Sequence, residues 1–283
     1  MADATWPDAP EPLPFPVVDN HCHLDHRVKG GQMIEPAEAL ARAAAVGVTR
    51  IVQVGTDVES SRWAVDAARQ FPSIVAAVAL HPNDAPLLAM DGLHEDAITE
   101  IANLASDESV RAIGETGLDY YRTGPDGRAA QEQSFREHIR LAKELDRTLV
   151  IHDRDAHADV LRVLDDEGMP ERTVMHCFSG DGAFAQACIE RGAYLSFAGT
   201  VTFKNAENVR DGLRAAPRDQ ILVETDAPFL TPEPFRGRPN ASFLIPLTVR
   251  FMAGIVGVSV EELCRDIAEN TERAFGGSWP EWV

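Results

Sequence analysis

Eight short apolar runs, each followed by a stretch with helical spacing, constrain this chain more than any other feature. The predicted strands open at 17 with a run ending in His21-Cys22-His23, and continue at 48–54, 74–80, 110–115, 148–152, 172–176, 193–197 and 220–225. Helices are predicted at 36–46, 58–70, 93–105, 127–145 and 156–167, then after each of the next two strands, with two more closing the chain. The last carries a capping box, Ser259-Val260-Glu261-Glu262. The strands are apolar throughout rather than alternating, as expected of strands covered on both faces, and a βα repeat implies a parallel sheet. Eight such units predict an α/β fold of the TIM-type (β/α)8 barrel class. A doubly wound open sheet is the competitor, but no GxGxxG follows the first strand, and polar motifs follow many strands rather than one switch point.

Length allows two ordinary domains or one large barrel, and the 283 residues do not decide alone. No linker divides the chain after its start, so we read 1–14 as a flexible lead-in and 15–283 as one barrel domain. The lead-in is rich in Pro, Ala and Asp and lacks the basic and apolar regions of a signal peptide. No apolar run approaches the ~18 residues of a membrane span. A net charge of −19 argues against a broad basic surface for nucleic acid, though it leaves room for a nuclease whose contacts lie in one metal-bearing cleft. Cys22, Cys177, Cys188 and Cys264 form no CxxC and read as reduced, packed thiols in a cytoplasmic protein. No membrane association and no obligate protein partner is expected.

The residues that end the strands carry the chemistry. His21 and His23 end the first, His81 follows the third, Glu115 the fourth, His152 the fifth, His176 the sixth and Asp226 the eighth. A single HxH pair is a weak chelate signal, and a lone buried histidine is more often simply hydrogen-bonded. In a barrel, however, all these ends face one rim, where active sites are built. Four imidazoles with two carboxylates, His21, His23, Glu115, His152, His176 and Asp226, form a mixed N/O donor set suited to Mg, Mn or Zn. One bridging carboxylate would let the set hold two divalent ions.

The stretches DNHCHLD (19–25), LHP (80–82), GETGLDYY (114–121), IHDRDA (151–156), HCFSG (176–180) and ETDAPFLTP (224–232) resemble those of the TatD-like metal-dependent hydrolases, the TatD deoxyribonucleases. The resemblance spans most of the chain. It implies that His21 and His23 bind one metal, that His152 and His176 bind a second, and that Glu115 bridges or binds. It also implies that Asp226 binds metal and manages the proton of the attacking water. The activity implied is phosphodiester hydrolysis by metal-activated hydroxide, with DNA as substrate and attack from a strand end. Relatives that bridge their metals with a carboxylated lysine differ: Lys29, Lys143 and Lys204 are the only lysines here, and none ends a core strand.

Substrate contacts are expected from His81, from Arg154 as a planar fork on a phosphate, and from Phe178 and Tyr120, with Tyr121, as stacking surfaces for bases. Asp25 is a candidate to orient a ligand histidine, with a loop hydrogen bond as its alternative. The loop Arg236-Gly237-Arg238-Pro239-Asn240-Ala241-Ser242 departs from the family's RGKRNEP, which opens substrate preference; Arg236 is a candidate phosphate contact and equally a solvated loop residue. Two alternatives stand beside the nuclease reading. One is ester or amide hydrolysis, such as D-aminoacyl-tRNA deacylation. The other is metal-dependent nucleic-acid binding without catalysis.

Overall fold

The computed structural model describes residues 5–27 and 33–276. Residues 1–4 of the expected lead-in, Lys29, and residues 277–283 of the expected barrel domain lie outside the described residues. The strands are β1 (Val17–Cys22), β2 (Val48–Val54), β3 (Ile74–Val78), β4 (Val110–Asp119), β5 (Thr148–Arg154), β6 (Thr173–Met175), β7 (Tyr194–Phe197) and β8 (Ile221–Val223). The α-helices are α1 (Pro36–Ala44), α2 (Val58–Gln70), α3 (Ala85–Met90), α4 (His94–Ala105), α5 (Pro125–Glu144), α6 (His157–Glu167), α7 (Gly182–Glu190), α8 (Glu207–Ala215), α9 (Ile245–Val256) and α10 (Val260–Phe275). The strands pair in sequence order, and every pairing is parallel.

The first and last strands meet through a parallel bridge, Cys22 to Ala227. The Asp226 N–H donates to the His21 carbonyl at 2.9 Å, and the His23 N–H to the Ala227 carbonyl at 2.7 Å. Beneath them the buried Asp19 carboxylate accepts the Thr225 amide at 2.9 Å and the Thr225 hydroxyl at 2.6 Å. The seam that closes the barrel is therefore the stretch that carries His21, His23 and Asp226.

Two apolar layers hold the fold. Val18, Val52, Ala77, Ala112, Val150, Val174 and Leu222 bring small or branched side chains from every strand but β7 into one cluster, which Phe275 of α10 joins. Truncating a buried Phe of this kind costs about 3–5 kcal/mol, because the cavity left behind collapses only in part. Residues of opposite parity, such as Val17, Ala76, Ile113 and Leu149, pack in the larger cluster with the helices. Covering on both faces is why the strands read as continuous apolar runs.

Some boundaries differ from expectation. β4 runs on past Glu115 because β5 accompanies it, pairing Gly117 with His152 and Asp119 with Arg154. Gly117 has φ +142°, and a Cβ there would collide with the His152 carbonyl oxygen, so this close approach requires glycine. β8 stops at Val223, and the chain turns through Asp226 at φ +52°. α3 lies outside the predicted helices. After β7 a 3-10 turn, Gly199–Thr202, precedes α8, so the helix starts later than its apolar pattern suggests. The Ser259 capping box forms as expected, with Ser259 and Glu262 exchanging hydrogen bonds.

The described part of the lead-in packs against the barrel. Leu13 is buried and its N–H donates to Val46 O at 3.0 Å, and Trp6 lies 6.1 Å from the Phe243 ring. Apolar anchors at both ends of the segment hold it against the barrel, which its Pro-rich composition conceals. No single helix among the described residues is long and apolar enough to cross a membrane.

Candidate metal centre

A cavity of about 560 Å³ opens at the C-terminal ends of the strands. His23, His81, Glu115, His152, His176 and Asp226 line it, and His21 is buried directly behind. All the strand-end residues singled out in the sequence thus converge on one site.

Glu115 lies at its centre and divides its oxygens. Oε1 is 3.7 Å from His21 Nε2 and 3.6 Å from His23 Nε2. Oε2 is 3.1 Å from His152 Nδ1 and 3.4 Å from His176 Nε2. Asp226 Oδ1 stands 3.5 Å from His23 Nε2, on the Oε1 side. His21 and His23 bring their Nε2 atoms within 3.3 Å of each other, and the His21 and His176 rings stack with centroids 3.6 Å apart.

Partners behind the rings fix which nitrogen faces inward. His23 Nδ1 lies 2.9 Å from the Val54 carbonyl and must donate there, so its Nε2 presents a lone pair when the ring is neutral. His152 Nε2 is 3.3 Å from Asp119 Oδ2, which leaves Nδ1 to face Glu115. His176 Nδ1 is 2.8 Å from Glu224 Oε1, a close contact set at an angle to the ring N–H, and Glu224 also accepts the Cys177 amide at 3.0 Å. Carbonyls and carboxylates behind ligand histidines are what hold such rings in the ligating tautomer. Burial opposes the ionisation of Glu115, yet the imidazoles of His81 and His176 and contacts from His152 and His21 hold its carboxyl well below the usual range. Burial also opposes protonation of His23 and His152, but Asp226 and Glu115 lift the first, and Asp119 and Glu115 the second, to about 9. A site that so strongly favours positive charge among anionic oxygens suits a divalent cation, whose entry would displace those protons. The convergent imidazole and carboxylate donors, arranged in several groups within 4.8 Å, fit such a metal.

His81 differs. Its Nδ1 accepts the Asn83 N–H at 3.1 Å, so in the neutral ring Nε2 carries the hydrogen. Burial pushes its pKa down to about 4 and keeps it neutral. Its Nε2–H is a hydrogen-bond donor 3.8 Å from Glu115 Oε2, not a metal-ligating lone pair.

Of the expected substrate contacts, Arg154 lines the cavity, with its guanidinium 3.9 Å over the Tyr121 ring. Four others do not line it, one of them Tyr121, whose exposed ring is taken by the Arg154 guanidinium. Phe178 is 2% exposed and packs between Phe184 and Phe197, because the small residues Gly180 and Gly212 leave room for its ring in the core. Tyr120 donates its hydroxyl to Asp159 at 2.9 Å and lies under Arg128, since the turn after β4 points it toward α6. Arg236 stacks over Phe203 at 4.2 Å, outside the cavity. Asp25 takes its loop alternative, accepting from Gln53 at 2.8 Å, while Val54 holds His23.

The atypical loop is a brace. Asn240 donates to the Thr225 carbonyl at 3.1 Å and also to the Phe229 carbonyl, and Arg238 donates to the carbonyls of Thr5 and Trp6. Cys22 is buried against Ile51 and Ala227, as expected, whereas Cys177 reaches the cavity wall as a thiol that burial keeps neutral.

Four residues escaped the sequence reading. Asp119 and Glu224 lie at even spacings from Glu115 and Asp226, a signal that longer strands would have exposed. Phe229, 49% exposed, lines the cavity beside His23 at a ring separation of 6.2 Å. Arg122 lines the opposite wall, and only the folded turn after β4 brings it there.

Similarity to known proteins extends over most of the chain. The family model described as TatD related DNase matches residues 18–276. An uncharacterized metal-dependent hydrolase TatD of Mycobacterium tuberculosis is 43% identical over 268 residues, covering 93% of this chain and 99% of its own. The uncharacterized metal-dependent hydrolase YabD of Bacillus subtilis is 38% identical over 258 residues, covering 91% and 98%. Among solved structures, the Escherichia coli TatD homologue YjjV superposes with a TM-score of 0.80 at 26% identity, covering 92% of this chain and 97% of that one. With the donor set, the barrel and near full-length similarity in agreement, the chain belongs to the TatD family of metal-dependent hydrolases.

Proposed function

We propose that this protein is a cytoplasmic phosphodiesterase that uses two divalent ions to cleave DNA from a strand end. The observation that carries the reading is the division of Glu115, with one oxygen toward His21 and His23 and the other toward His152 and His176. A carboxylate so placed can serve two ions at once, His21, His23 and Asp226 completing one donor group and His152 and His176 the other. Bound divalent ions would lower the pKa of a coordinated water toward ~7 and offset charge on the phosphoryl oxygens.

The chain supplies the rest. Asp226, held ionised against burial by His23, His176 and His21, accepts a proton from the attacking water. The water oxygen bonds to phosphorus, the bond from phosphorus to the leaving oxygen breaks, and Asp226 returns its proton to that oxygen. His81, neutral with Nε2–H inward, donates a hydrogen bond to a non-bridging oxygen; losing that proton would leave an imidazolate, so it is not the acid. Phe229 gives the terminal base a stacking face worth about 1–3 kcal/mol.

The test is digestion of 5′- and 3′-labelled single- and double-stranded DNA with Mg, Mn, Zn or Co. Asp226→Asn should lower kcat by about 10²–10⁴-fold, the range of a general base. A fully active Asp226→Asn enzyme would end the proton assignment. Release of amino acid from D-aminoacyl-tRNA with DNA intact would replace the nuclease reading, and stoichiometric DNA binding without turnover in every metal would remove catalysis.

A further inference from the structure

The protein carries a large negative charge, and its arginines are mostly consumed by it. Arg62, Arg69, Arg136, Arg162, Arg191 and Arg214, among others, each pair with a carboxylate at the surface. Among those without a carboxylate partner, Arg42, Arg128 and Arg236 lie over aromatic rings and Arg147 donates to carbonyls, whereas Arg122 and Arg154 face the metal centre. Both line the cavity of the metal centre, and among the described residues neither forms an ion pair. Carboxylates are plentiful there, with Asp84, Asp119 and Asp153 on the same wall.

Their position is built by the site itself. The Asp119 carboxylate that faces His152 Nε2 also accepts the main-chain N–H of Arg122, at 2.8 Å. Asp119 and Arg154 are main-chain register partners across β4 and β5, and the Arg154 carbonyl accepts the Tyr120 N–H at 2.9 Å. Stacking on Tyr121 then holds the Arg154 guanidinium. The buried carboxylate thus ties a metal-facing histidine to the main chain of Arg122, and the β4–β5 register sets Arg154 beside them. Phe229 and Leu230 line the cavity too, but they come from the turn after β8. The mouth therefore has cationic residues after β4 and β5 and apolar ones after β8.

We propose that Arg122 and Arg154 form a second anion subsite, which binds a phosphate of the substrate other than the one being cleaved. The inference rests on the phosphodiesterase reading and adds a requirement to it: the preferred substrate carries a phosphate on each side of a nucleoside. A planar guanidinium with free N–H groups matches phosphate oxygens in a fork, and two such groups without carboxylate partners incur no competing ion pair. A carbonyl substrate lacking that second phosphate leaves the subsite empty.

Titration calorimetry of the metal-loaded protein tests this with thymidine 3′,5′-bisphosphate against thymidine 3′- and 5′-monophosphates. The bisphosphate should bind about tenfold more tightly than the better monophosphate, the scale of one charge-assisted phosphate contact. Arg122→Ala should bring that ratio close to one, and Arg122→Lys should restore part of it, since charge returns without the fork. Equal affinities in the wild type, or a ratio unchanged in Arg122→Ala, would overturn the subsite. Hydrolysis of bis(p-nitrophenyl) phosphate, which has one phosphorus and no second anion, reports the phosphodiesterase reading separately. Its absence would refute that reading while the binding ratio still decides the subsite.

Discussion

His23 and His138 are both buried, and each has a carbonyl at Nδ1: Val54 O at 2.9 Å for His23, Ser134 O at 2.7 Å for His138. They differ at Nε2. His138, on α5, accepts the Leu80 N–H there at 3.0 Å, whereas His23 faces Glu115 and Asp226. Burial pushes the first down to about 4, and the carboxylates lift the second to about 9 despite its burial. The same buried side chain is a neutral structural clamp in one region and a cation-seeking donor in the other. Burial opposes protonation of both, and the carboxylates across from Nε2 are what reverse it in His23.

The strongest way to break this comparison is to remove the shared carboxylate. Glu115→Ala should reduce kcat/KM by about 10³-fold or more, since the charge offset at the reacting phosphate is lost with the ions. Metal analysis of the purified variant should show lower content than the wild type. An active, fully metallated Glu115→Ala would mean that the imidazoles alone hold the centre.

A gentler change acts behind a ring. Glu224→Gln removes the charge beside His176 Nδ1 while keeping an acceptor for the Cys177 amide. Metal affinity should weaken by about 10–100-fold, as for other partners behind ligand histidines. Competition with a chelator measures it, and an unchanged affinity would show that Glu224 only braces the turn.

The smallest effect belongs to the structural histidine. Because the folded pKa of His138 lies below its ordinary 6.5, its stabilising contribution is complete above pH 6.5 and is lost as pH falls toward about 4. The loss amounts to about 3 kcal/mol across that window. His138→Gln keeps an acceptor for the Leu80 N–H and cannot titrate. Denaturant melts should show it about 1 kcal/mol less stable at pH 7.5, with the deficit shrinking or reversing by pH 4.5. Metal content should stay at the wild-type level. A pH profile parallel to the wild type would refute the clamp.

The fold and the inner ring of the site were legible because both rest on local pattern. Apolar runs at regular intervals specify covered parallel strands, and strand ends of a barrel share one rim, so His21, Glu115, His152, His176 and Asp226 could be placed together from spacing alone. The aromatic contacts were not legible. Phe178 and Phe229 are the same residue type in similar motif positions, but one fills the space left by Gly180 and Gly212 while the other stands at the cavity mouth. Sequence distance carries no information about which neighbour vacates that space. The loop from 236 to 242 likewise reads as bearing on substrate preference, yet the donors of Arg238 and Asn240 are taken up by backbone carbonyls of the lead-in and of the turn after β8.

By itself the sequence determined the barrel, the donor types and the rim on which they meet, because periodicity and strand ends are properties of neighbours along the chain. Only the tertiary structure decided how Glu115 divides its oxygens, which nitrogen of each ring faces inward, and which arginines are left without carboxylates. Those properties depend on atoms from distant strands meeting within hydrogen-bond range, where a few tenths of an ångström settle whether a group is donor, acceptor or cation.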